Sequence, residues 1–170
     1  MSVKKRHFYG LIVLTALLVL LALIGFAGAE WKETEISRNV LLPKGITISP
    51  PSPDLPKEVA AFLGRWEGVW DFDNTPAVLI VESISSTSAN VILGIGKGRW
   101  GNKPDYSRLK AKVFLENKTR IEVPLWAFDR SDRYVVNVPF EISEDLETLH
   151  GESQGRGTDK ASITMKKIED

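Results

Sequence analysis

An all-β fold, an eight-stranded antiparallel up-and-down barrel, is what the sequence predicts for most of this chain. Three observations predict it. Beyond Gly64, apolar and polar residues alternate with a period of two. Turn-forming clusters interrupt that alternation at near-regular spacing, and no long helical period occurs in the same stretch. Short strands broken by such turns indicate a barrel or a sandwich, and eight in sequence can close into a barrel without exposed edges.

The first element is different in kind. Lys4, Lys5 and Arg6 precede the uncharged run Phe8–Phe26, and Ala27-Gly28-Ala29 follows it. A basic start, an apolar stretch and an A-x-A ending describe a secretory signal peptide cleaved after Ala29. The run is also close to the roughly 20 residues that span a bilayer, so an uncleaved anchor over residues 8–26 is the alternative. Either reading puts the body outside the cytoplasm: periplasmic, extracytoplasmic or secreted, and held at the membrane if the segment is retained. The 22 Lys and Arg less these three leave 19 against 22 Asp and Glu. A mildly acidic body argues against nucleic acid as a partner. There are no cysteines, which excludes disulfides, thiolate chemistry and Cys-built zinc sites. An exported domain of this kind is held by its core alone.

Residues 30–56 read as an extended linker. Pro43, Pro50, Pro51, Pro53 and Pro56 crowd its second half, and proline disfavours helix in the residue before it. Val40–Leu42 and Ile46–Ile48 could lie against the domain as an irregular strand. Lys57–Leu63 suggests one or two helical turns, with Pro56 suited to the first position and Gly64 closing them. The predicted strands run over Arg65–Phe72, Ala77–Ser85, Ala89–Gly96, Ser107–Phe114, Thr119–Leu125, Tyr134–Ile142, Leu146–Ser153 and Lys160–Lys167. Turns separate them at Asp73–Pro76, Ser85–Ser88, Glu116–Lys118, Ser143–Asp145 and Gly155–Asp159. Apolar faces follow from the period: Leu109, Ala111, Val113 and Leu115; Ile121, Val123 and Leu125; Val136, Val138, Phe140 and Ile142; Ala161, Ile163 and Met165. The regions are therefore 1–29 as signal peptide or N-terminal membrane anchor, 30–56 as linker and 57–170 as the barrel domain.

The stretch Phe62-Leu63-Gly64-Arg65-Trp66-Glu67-Gly68-Val69-Trp70 resembles the G-x-W opening of the lipocalin-like (calycin) barrels. It is closer still to small bacterial exported domains that open on F-x-G-x-W-x-G-x-W. The Pro-rich lead ending Pro53-Asp54-Leu55-Pro56 and the Gly-Trp loop at Gly98–Gly101 resemble that group too. The resemblance covers roughly residues 45–168, and most such domains have no known biochemical role. It implies a lipocalin-like barrel whose motif tryptophan, Trp66 here, closes the floor under a basic residue from the last strand. Lys166 and Lys167 stand near that place and no arginine does. In lipocalins proper the barrel holds a small hydrophobic ligand. Gly64, Trp66 and Gly68 are thus the structural floor residues, and a glycine between two indoles leaves room for close packing.

The candidate ligand contacts are Trp70, which either lines a cavity or packs the core, and Arg99, Trp100, Tyr106 and Arg108. The last four belong to a basic, aromatic, glycine-containing loop and its exit, a composition that stacks on sugars and binds carboxylates or phosphates. His150 lacks companions for catalysis or metal binding. Asp71, Asp73 and Asn74 begin like a calcium loop but lack its glycine and terminal glutamate, so a turn cluster accounts for them. Glu141, Glu144, Asp145 and Glu147 form an acidic edge at a hairpin. Asn117-Lys118-Thr119 is a glycosylation sequon, relevant in a eukaryotic host.

The resulting expectation is a monomeric, non-enzymatic binding domain of the cell envelope, exported or membrane-anchored, with no cofactor and no metal. Its ligand would be small and hydrophobic or derived from the wall. The alternatives are an accessory docking domain of an envelope complex with no ligand, and a hydrolase using the acidic edge.

Overall fold

The computed structural model describes residues 33–98, 103–116, 118–129, 132–154 and 160–169, with 126–129 and 132–134 as backbone. Residues 1–29, expected as signal peptide or membrane anchor, the Gly98–Gly101 loop with Arg99 and Trp100, the sequon asparagine and the Gly155–Asp159 turn lie wholly or partly outside them.

Eight strands close an antiparallel barrel in sequence order: β1 (Gly64–Trp70), β2 (Pro76–Ile84), β3 (Ser88–Ile95), β4 (Asp105–Phe114), β5 (Arg120–Asp129), β6 (Asp132–Ile142), β7 (Thr148–Gln154) and β8 (Lys160–Ile168). Closure comes from β1 pairing β8, with Trp66 opposite Lys167 and Trp70 opposite Ile163. The all-β prediction holds strand for strand, and the differences have local causes. β5 continues past Leu125 because Trp126–Asp129 stays paired with Asp132–Val135. β7 starts later than predicted because Leu146 takes φ 63 in the preceding turn. Leu115, predicted on the inner face of β4, lies beyond the strand end and is half exposed.

The stretch predicted as an extended linker contains a helix. Thr34 and Ser37 form a capping box, with Ser37 N–H donating to Thr34 Oγ1 (3.0 Å) and Thr34 N–H to Ser37 Oγ (2.9 Å). That starts α1 (Glu35–Arg38), since a side-chain oxygen meets one of the helix's orphan N–H groups. The chain from there to Leu55 is a strap on the barrel wall. Val40 bridges Gly96, and a Cβ on Gly94 would stand 2.5 Å from Val40 Cγ1 and 2.9 Å from Leu42 Cδ2. Ser49 N–H donates to the Glu82 carbonyl at 2.8 Å. This cover explains why Val78, Ile80 and Ile92, which point away from the interior, are fully buried. Residues 32–170 accordingly form one unit.

α2 (Lys57–Ala60) follows, with Pro56 at the cap rather than at the first helical position. Its Val59 and the following Phe62 are completely buried in the core. Gly64 then turns the chain into β1 at φ 117, a conformation L side chains rarely adopt.

Candidate binding surface

The floor of the barrel is built from the motif outward. Alternation along β1 puts Trp66, Gly68 and Trp70 inward. Trp66 is fully buried, and its indole Nε1–H donates to the Phe62 carbonyl at 2.8 Å. Lys167 Nζ lies 5.0 Å from the centroid of the same ring and donates to the Ala61 carbonyl at 2.7 Å. The lysine thus binds the entering turn to the indole face, a cation–π arrangement. Burial lowers its pKa from 10.5, because the charged form loses water. Gly68 passes close to β8: a Cβ there would collide with the Thr164 carbonyl oxygen and stand 3.1 Å from Met165 Cα.

Directly above the floor the interior is filled among the described residues. Leu79, Val81, Ile121, Val123, Val138, Phe140, Leu149 and Met165 have no accessible surface. A void large enough for water would show as accessible surface on its lining, so these layers enclose none. Trp70 caps them at 6% exposure, its ring centroid 6.3 Å from that of Phe72. The candidate contact Trp70 therefore faces the interior, whereas Tyr106 and Arg108 face out from β4, in register with Gly94 and Ile92 of β3. The structure does not bring these candidates together.

What remains for recognition is the outer wall. Tyr106, Arg108, Lys110 and Lys112 alternate along β4 and are all exposed. Arg108 Nη1 donates to both carboxylate oxygens of Glu82 at 2.9 Å. Beside this pair a groove of about 460 Å³ runs between the strap and β2–β4, lined by Thr47, Ser49, Asn90 and Leu109 among others.

Compared with family models, curated proteins and solved structures, the chain matches none. The closed eight-stranded barrel is compatible with a lipocalin-like fold.

The remaining polar candidates are engaged in structure. Asp71 accepts from Ser162 N–H (2.9 Å) and Oγ–H (2.6 Å), which holds its carboxyl below 3.8. Asp73 accepts from Thr75 N–H at 2.9 Å, and Asn74 takes φ 57 in the same turn. Asp145 is held low by the Ser143 hydroxyl and Glu147 N–H. Glu141 pairs with Lys118 at 2.9 Å. His150 Nδ1 lies 3.1 Å from Thr164 Oγ1 on an exposed strand face. Among the described residues no group of three His, Asp or Glu is placed to hold a metal ion, and no helix is long and apolar enough to cross a membrane.

Sequence reasoning missed one buried polar site. Arg65 and Glu67, on the outward face of β1, form an ion pair whose side chains are each 2% exposed. The Thr34 hydroxyl also donates to Glu67. The signal for it was the unbroken apolar run Ala77–Val81 on the neighbouring strand, which requires cover on both faces.

Proposed function

We propose that this chain is a non-enzymatic, lipocalin-like docking domain of the cell envelope, exported or membrane-held, that meets its partner on the outer wall of the barrel. The observation that carries the reading is the filled interior. Among the described residues, side chains fill the barrel between the Trp66 floor and Trp70, where a lipocalin keeps its ligand. The kinship rests on Trp66 lying under Lys167, as the resemblance implies for the floor tryptophan and its basic cover. Ligand pockets are concave and bury most of a small molecule, so of the readings drawn from the sequence the ligand-free docking domain fits the geometry best. Two titrations test it. The full chain is titrated with palmitate and with a naphthylamine fluorophore, following tryptophan emission, and no saturable uptake is expected. A photo-crosslinking residue is then placed at Tyr106, Val135 or Glu116 in intact cells, and a discrete adduct from a wall position is expected. One-to-one uptake of either hydrophobic probe refutes the reading.

A further inference from the structure

The barrel wall is not laddered to the same height all round. β4 is paired with β3 from Asp105–Ile95 to Lys112–Ser88. With β5 it is paired only at Lys112–Glu122, Val113–Ile121 and Phe114–Arg120. β5 nevertheless stays paired with β6 out to Asp129–Asp132. The stretches Asp105–Ala111 of β4 and Val123–Asp129 of β5 therefore each have one edge without a ladder partner among the described residues. A second such seam separates β6 from β7, which pair only from Phe140–Gly151 to Ile142–Leu149.

Two prolines mark where the β5–β6 hairpin leaves its neighbours. Pro124 stands two residues beyond Glu122, and Pro139 is next to Phe140. Proline has no N–H to donate, so it blunts the edge it occupies. The β4 edge holds no proline. Val113 N–H bonds toward β3, so by alternation Tyr106, Arg108 and Lys110 turn their backbone groups to the open edge. Tyr106 N–H donates to the Asp105 carboxylate at 2.8 Å, and Arg108 and Lys110 keep donors and acceptors that an extended strand satisfies.

The side chains select among such strands. Arg108, Lys110 and Lys112 stand on the outward face. Arg108 is matched by Glu82 and Lys112 stands opposite Glu122 of β5, while Lys110 enters no ion pair among the described residues and has no residue of β5 across from it. The inward face offers Leu109, half-buried, while Ala111 is closed off within the core. Opposite charges directly across two strands attract and like charges repel, and edge lysines repel indiscriminate pairing.

We propose that the β4 edge between Asp105 and Ala111 takes an extended segment of a partner protein as an added antiparallel strand. That segment is acidic at its outward positions and apolar at its inward ones. The proposal rests on the docking reading and names its surface and the partner's chemistry.

The test uses the full chain and an end-blocked octapeptide alternating Glu and Val. Saturable binding is expected, with exchange slowed about tenfold or more at the β4 amides that do not bond to β3. The variant K110E, whose change lies on the exposed face, should weaken binding about tenfold and accept a Lys–Val octapeptide instead. The Glu–Val peptide N-methylated at alternate residues should not bind. Absence of binding, equal binding by the methylated peptide, protection elsewhere on the barrel, or indifference to K110E each overturn the proposal. So does capture of phosphatidylglycerol vesicles through the same lysine without peptide binding. A crosslinked partner at Val135 or Glu116 alongside any of those results leaves the docking reading standing, whereas no adduct at any wall position removes that reading as well.

Discussion

Glu67→Ala should be among the most damaging substitutions on the outer face of this barrel. Arg65 and Glu67 point away from the interior, yet each side chain is 2% exposed because the strap lies over them. Removing the carboxylate takes an acceptor from Arg65 and from the Thr34 hydroxyl while the guanidinium stays buried. Losing one member of a buried ion pair costs about 3–5 kcal/mol. A hydrogen bond to a charged group contributes about 1.5–3 kcal/mol. The two terms share one carboxylate and do not add, so about 4 kcal/mol is expected, a large part of a stability of roughly 5–15 kcal/mol. With a urea slope of about 2 kcal/mol per M, the midpoint should fall by about 2 M at unchanged slope. The double variant R65M/E67L replaces the pair by apolar side chains and should recover part of that loss, since removing one member of a buried pair costs more than replacing both. Thr34→Val should cost about 1 kcal/mol or more in the parent through its lost cap, and part of that cost should vanish in R65M/E67L. An E67A midpoint within experimental scatter of the parent, or a double variant as unstable as the single, refutes burial of the pair beneath the strap.

Three further outcomes follow from particular contacts. Gly68→Ala puts a methyl group against the backbone of Thr164 and Met165, so β1 and β8 must part where the barrel closes. A loss of about 3 kcal/mol, read as a fall of about 10 °C in Tm by calorimetry, is expected, and an unchanged Tm contradicts the close approach. The Asp71 carboxyl is held below 3.8 by Ser162. Its stabilisation is therefore present above pH 3.8 and lost as pH falls through the lower folded-state value. Urea midpoints at pH 5 and pH 3 should differ less in D71N than in the parent, and equal differences argue against that bond. Pro124→Val with Pro139→Val restores N–H groups where the hairpin leaves its neighbours, and should slow amide exchange at the top of β4 and in Glu152–Gln154 of β7. Unchanged exchange there means that something other than the prolines keeps the seams apart.

The fold was legible because each strand repeats one message. In β4, β5, β6 and β8 the alternation that predicts a strand also names its inner face, and the structure buries Ala111, Val123, Val138 and Met165 accordingly. The floor was legible for a different reason. Trp66 is too large to sit on the surface of a period-two strand flanked by glycines, and the resemblance supplied the need for a basic cover. Lys167 faces Trp66 in the β1–β8 register, and its ammonium reaches both the ring and the Ala61 carbonyl. The strap was illegible because proline-rich composition describes a free linker and a wall-bound segment equally well. What distinguished them lay elsewhere in the chain, in β2 and β3, where Val78, Ile80 and Ile92 are too apolar for a wetted face.

The candidate contacts fared differently because composition cannot say which side of a strand a residue occupies relative to a distant one. Trp70 and Arg108 belong to opposite faces of the wall, and only register through β2 and β3 reveals it. The same registers give meaning to residues that local reading passes over. Pro124 and Pro139 look like ordinary strand interruptions until β5 and β6 prove to be paired with each other through both positions. Their missing N–H groups then face the neighbours that the hairpin leaves. Lys110 looks like part of a solvated face until β4 proves to have lost its neighbour from Ala111 back to Asp105. Edge protection in this barrel is thus divided: proline closes β5 and β6 to any strand, while lysine leaves β4 open to an acidic one.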